Sequence, residues 1–104
     1  MTPPTRVPSD DASWEEVLKF AWAYNGYEHF GTEGAFAVAA SVQEHLQRTG
    51  SLPDDLPALR CALFMAQRAA YWTDFCPETD GAWMRQLVAK IRELSGGSLR
   101  GQGA

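Results

Sequence analysis

The chain has 104 residues, of which 45% are hydrophobic, 21% charged and 12% aromatic, and its formal net charge is −4. That length suits a single domain, and four Trp, five Phe and three Tyr provide apolar surface for a core without metals or disulfides, which argues against a disordered chain. The only lysines are Lys19 and Lys90, and so acidic a balance lacks the field that drives phosphate-backbone binding, so a nucleic-acid partner is not expected.

In chain order, residues 1–12 are rich in Pro, Asp and Thr and read as a disordered leader. They hold no apolar run resembling a signal peptide. A stretch such as Ala35–Ala40 is far too short to span a bilayer, so the expectation is a cytoplasmic protein without membrane contact. Residues 13–95 read as one helical domain, and the Gly-rich residues 96–104 as a flexible tail.

The first helix is predicted over residues 13–25. Ser13 with Glu16 makes a capping-box pattern, and Trp14, Val17, Leu18 and Ala21 recur at helical spacing. Asn25 and Gly26 tolerate left-handed backbone and read as its stop, opening a connection that lasts to Thr32. A second helix is predicted over residues 33–49, with Thr32 as N-cap. Its small-residue face of Ala35, Val38, Ala39, Val42 and Leu46 suits close approach of a neighbour, and Thr49-Gly50 ends it. A third is predicted over residues 55–75, capped by Asp54 or Asp55, with Pro57 in the first turn where no intrahelical donor is lost. Cys76-Pro77 breaks it, because a residue before proline disfavours α geometry. The fourth, over residues 79–95, carries Met84, Leu87, Val88, Ile91 and Leu94 on one stripe. No segment alternates with period two. The fold class is therefore all-α, a compact four-helix bundle-like domain. Cys61 and Cys76 stand 15 residues apart along one helix and its end, roughly 22 Å at helical rise, too far for a disulfide.

The third predicted helix is the unusual one. Leu59, Leu63, Ala66 and Ala70 form one apolar stripe, while Phe64, Tyr71 and Phe75, with Trp72 and Cys61 beside them, form another on the opposite side. A helix apolar almost all round is buried on all sides. Either the leader or the connection at residues 25–32 covers the second stripe, or that stripe meets another chain. Arg60 and Arg68 are then rim residues or partners of internal carboxylates.

Chemistry-bearing patterns are sparse. Asn25, Tyr27, Glu28 and His29 cluster on a connection, where a His beside a Glu can move protons and Tyr27 or Asn25 can orient a ligand. Adjacency in sequence is not catalytic geometry, however, and the plainer reading is capping and solvation. No paired Cys or His spacing, Glu-x-x-His pair, phosphate loop or nucleophile elbow occurs, so no metal, cofactor or catalytic residue is assigned. A DNA-reading helix should expose a polar face, and the third helix instead carries aromatics behind Asp54 and Asp55. The leading expectation is a non-catalytic helical interaction module, self-associating as a homodimer or docking on a larger protein through Phe64, Arg68, Tyr71, Trp72 and Phe75. The alternatives are a small-molecule site or small enzyme at Asn25, Tyr27, Glu28 and His29, and a nucleic-acid-linked regulator.

Overall fold

Ser13 opens the first helix by accepting the Glu16 backbone N–H at 3.2 Å, the first half of the capping box. In the computed structural model, which describes residues 7–103 and the side chains of residues 7–95, the elements are α1 (Trp14–Ala23), α2 (Gly26–Phe30), α3 (Thr32–Thr49), α4 (Leu56–Trp72) and α5 (Asp80–Gly103). The chain is all-α, with four principal helices and the single-turn α2 between the first two. Its radius of gyration of 13.5 Å is close to the ~13 Å of a compact chain this long.

Helix α4 is the third of the predicted helices, and α1, α2, α3 and α5 all pack on it. Its two apolar stripes feed two core clusters. Leu59, Ala62, Leu63 and Ala70 join Val17 and Phe20 of α1, Val42 of α3, and Met84, Leu87, Val88 and Ile91 of α5. Cys61, Phe64 and Met65 join Ala35 of α3, with Tyr24, Tyr27, Phe30 and Val38 packed around them. The small residues of α3 permit this approach, since Ala35 is fully buried and its carbonyl accepts from the Cys61 thiol at 3.6 Å.

Several local expectations change. Asn25-Gly26 is not a left-handed stop. The Asn25 side chain accepts the Glu28 N–H at 3.1 Å and so caps a new helix, α2. Gly26 is needed for closeness: a Cβ there would lie 3.1 Å from Phe64 Cδ2 and 3.2 Å from Cys61 Sγ. Thr32 falls inside α3, whose N-cap is Gly31 at φ 81° with no side-chain cap. At the next boundary Asp55 caps α4 by accepting the Ala58 N–H at 3.2 Å, while Asp54 pairs with Lys90 at 2.8 Å. Helix α4 ends at Trp72, short of the expected residue 75. The Thr73 hydroxyl donates to the Ala69 carbonyl at 2.9 Å, and Asp74 turns left-handed at φ 66°, which Asp tolerates better than most residues. Asp80 then accepts the Cys76 N–H at 2.9 Å and starts α5.

The termini also differ from their sequence reading. Residues 1–6 of the expected leader lie outside the described residues, but residues 7–12 are packed rather than loose. Pro8 and Ala12 are buried. Arg92 donates to the Pro8 carbonyl at 2.8 Å and to Asp10, and Arg85 donates to the Ala12 carbonyl at 2.7 Å while lying 4.1 Å over the Trp14 ring. These two arginines of α5 fasten the segment across the start of α1. At the other end α5 runs on to Gly103, where the sequence expects a tail from residue 96. Glycine costs a helix about 1 kcal/mol relative to Ala without forbidding it. Residue 104 lies outside the described residues.

Gly81 lets α5 approach Trp14 closely at the start of the first helix. A Cβ there would fall 2.5 and 2.7 Å from the Trp14 ring, itself held between Arg85 and the edge-on ring of Phe75. Gly81→Ala should therefore destabilise the fold by about 1–3 kcal/mol through overpacking, outweighing the ~1 kcal/mol gained in helix propensity. A lowered urea midpoint checks this, and an unchanged or raised midpoint would contradict the packing.

Candidate interaction surface

Helix α4 is covered unevenly along its second stripe. Over its first half, α2 and the start of α3 close on it. Phe64 is only 3% exposed, with the Tyr27 ring edge-on at 5.2 Å and the Trp22 ring stacked at 5.4 Å between centroids. Two turns later the stripe emerges: Tyr71 is 79% and Trp72 73% exposed. Trp22 of α1 and Phe36 of α3 are also more than half exposed.

These side chains form one surface. Trp22, Gln67, Arg68, Tyr71 and Trp72 line a groove of about 400 Å³. Beside it, Tyr27, Phe36, Met65, Arg68, Ala69 and Trp72 line a hollow of about 220 Å³. Arg68 and Trp72 belong to both, forming the ridge between them. The Arg68 guanidinium lies 5.2 Å from the Tyr27 ring centroid and 6.0 Å from that of Trp72, and among the described residues it has no carboxylate partner. Cation–π contacts of about 0.5–1 kcal/mol each hold it against the aromatic surface. Gln67 in the groove wall is buried, and its Oε1 has no hydrogen-bond partner, a state that costs on the order of 1–3 kcal/mol.

The same pairing of arginine with rings recurs at the other end of α4. Arg60 sits 4.5 Å over Phe20 and 5.2 Å over Tyr24. Among the described residues neither arginine pairs with a carboxylate, and aromatic faces serve as their counterparts. Burial lowers the Arg60 pKa, and burial raises that of Tyr24, whose phenol oxygen has no partner.

Of the five residues the sequence singles out for partner binding, the structure brings Arg68, Tyr71 and Trp72 together at the surface. Phe64 is corrected to core, because α2 lies on it through Gly26. Phe75 is half-buried elsewhere, 5.1 Å edge-on to Trp14 and against the main core. Trp22, Phe36 and Gln67 are the lining residues that sequence reasoning missed. Trp22 stands off the buried stripe of Val17, Phe20 and Ala21, so a large aromatic on the polar side of α1 was the available signal.

The alternative cluster divides. Asn25 Oδ1 caps α2 while its Nδ2 donates to Glu28 Oε2 at 3.1 Å, so both polar groups are committed to the helix start. The His29 ring is exposed beside Phe30 at 4.6 Å and Tyr24 at 5.6 Å, and Tyr27 packs on Phe64 beneath Arg68. Glu28 and His29 share no hydrogen bond among the described residues. Among those residues no group of three or more His, Cys, Asp or Glu is placed to hold a metal ion, and no helix is long and apolar enough to cross a membrane.

Both cysteines are free thiols with opposite environments. Burial pushes the Cys61 thiol up. The Thr79 hydroxyl, then the backbone N–H groups of Thr79 and Glu78, pull Cys76 down. Because the thiolate is the reactive form, Cys76 should be alkylated first by iodoacetamide at neutral pH, and Cys61 only on unfolding. Mass mapping of partial labelling reads the order, and equal labelling of the native chain would contradict it.

Truncations along α4 should separate core from surface. Phe64→Ala removes a buried ring and should cost about 3–5 kcal/mol, whereas Tyr71→Ala should stay within about 0.5 kcal/mol of the parent. Denaturant unfolding of the two variants checks both, and comparable losses would place Tyr71 in the core. The chain matches no protein-family model, and neither the curated proteins nor the solved structures give a significant match to it.

Proposed function

We propose that this domain is a non-catalytic helical interaction module whose contact surface is the groove and hollow around Arg68 and Trp72. The supporting observation is the exposure of Trp22, Tyr71, Trp72 and Phe36 on one continuous surface contributed by three helices. Scattered apolar residues at a surface are ordinary, but four large aromatics gathered around one arginine have the composition of binding hot spots. Nucleic acid is a poor partner for this surface: its one charged lining residue is Arg68, and the chain as a whole is acidic. The same reading places the domain in the cytoplasm, supported by its two free thiols.

The test is photo-crosslinking inside cells of the source organism. A benzophenone side chain at Tyr71 should give a discrete protein adduct, and the same probe at the exposed Gln47 of α3 should not. Introducing Trp22→Ser, on a different helix from the probe, should abolish the adduct while preserving the helical signal. No adduct from position 71, or an adduct indifferent to Trp22, would overturn the reading.

A further inference from the structure

Arg68 brings a charge to the aromatic surface that nothing on that surface balances. The residue is half-buried, its guanidinium lies beside the rings of Tyr27 and Trp72, and neither hollow is lined by an Asp or Glu. A purely apolar occupant would strip the remaining water from this cation and leave its N–H donors without an acceptor, which is unfavourable. A carboxylate removes that penalty, because it accepts from a guanidinium in two parallel, charge-assisted hydrogen bonds.

The place of Arg68 fixes where that carboxylate stands. Arg68 and Trp72, one turn apart, line both hollows; at helical spacing Gln67 and Tyr71 fall to one side of them and Met65 and Ala69 to the other. The arginine is thus flanked by an aromatic groove toward Trp22 of α1 and a smaller apolar hollow toward Phe36 of α3. We propose that the occupant is a peptide segment of a different protein in which one Asp or Glu stands between two large apolar side chains. The carboxylate meets Arg68, and one apolar side chain enters each hollow. This rests on the interaction reading above and names the chemistry of the partner.

Other occupants match the surface less well. Tyr71 and Trp72 are so exposed that both hollows are shallow. A small carboxylic acid in either one would stay largely in water, whereas ligand sites bury most of their ligand. A second copy of this chain in two-fold pairing would bring the same patch against itself. That adds a second Arg68 and, from the lining residues, no carboxylate. A segment that spans the ridge covers both hollows and supplies the missing charge.

Selection of short random peptides, displayed on phage, against the full chain tests this. The expected result is a family of clones with an Asp or Glu between large apolar residues, whose binding is lost with Trp22→Ser. A synthetic peptide of such a clone should weaken about tenfold or more when its acid is replaced by the corresponding amide. Arg68→Gln should bring the acid and amide peptides to equal affinity with unchanged helical content, and selection on Arg68→Glu should favour Lys or Arg at that place instead. Trp22-dependent clones without a preference for an acid, or a preference that survives Arg68→Gln, overturn the proposal and leave the interaction reading standing. A dimer of the free chain that is lost with Tyr71→Ala in sedimentation equilibrium overturns it too, in favour of a second copy. A selection without Trp22-dependent clones also overturns it, and crosslinking from position 71 then decides separately whether the surface binds protein.

Discussion

Everything in this fold depends on burying α4. Its 17 residues carry so few polar groups that no single neighbour covers it, and four other helical elements are arranged around it. Burial of apolar area is the dominant favourable contribution to folding, and here it is organised around one helix presenting two stripes to two clusters. Leu59 and Leu63 face the main core, while Cys61 and Phe64 face the smaller one. Small residues set the distances. Ala35 on α3 and Gly26 on α2 allow backbones to approach α4 where larger side chains would hold them away.

Arginine is used in an unusual way for so acidic a chain. Arg60 and Arg68 on α4, and Arg85 on α5, each lie over aromatic rings. Arginine suits such sites because its weakly hydrated guanidinium is attracted to a π face. Arg85 and Arg92 also cap free carbonyls of residues 8 and 12, anchoring a proline-bearing segment that could not pair with a sheet or helix. The N-terminal segment thereby becomes part of the domain through hydrogen bonds to α5, contacts separated by more than 70 residues in sequence.

That separation explains why the segment looked disordered from its composition. Local signals report local structure. The periodic stripes of Met84, Leu87, Val88 and Ile91, and the break at Cys76-Pro77, were legible because they depend on spacing and backbone sterics alone. The all-α class and the four main helices followed from them. Asn25-Gly26 was ambiguous because Asn is equally suited to ending one helix and capping the next, and the deciding contact is Gly26 on Phe64, made across 38 positions. The same contact hid the nature of Phe64. Periodicity correctly grouped Phe64 with Tyr71 on one side of the helix, yet it carries no information about how far along that side a cover extends. Trp22 and Phe36 were missed for the converse reason, since each lies on a different helix and only tertiary packing joins them to Arg68.

The length of that cover is what leaves a surface to act through. Helix α2 has five residues and spans about 7 Å, against about 25 Å for the 17 residues of α4. It closes over Cys61 and Phe64 and reaches no further than Arg68, where Tyr27 meets the guanidinium. Beyond that point the stripe continues in Tyr71 and Trp72 without its cover, although these residues have the same apolar character as the part that is buried. Neither ring belongs to either core, and Tyr71 in particular could be polar at little cost to the fold. Two large aromatics that join neither core, one of them in contact with the Arg68 guanidinium, are accounted for if the second stripe is completed by another molecule.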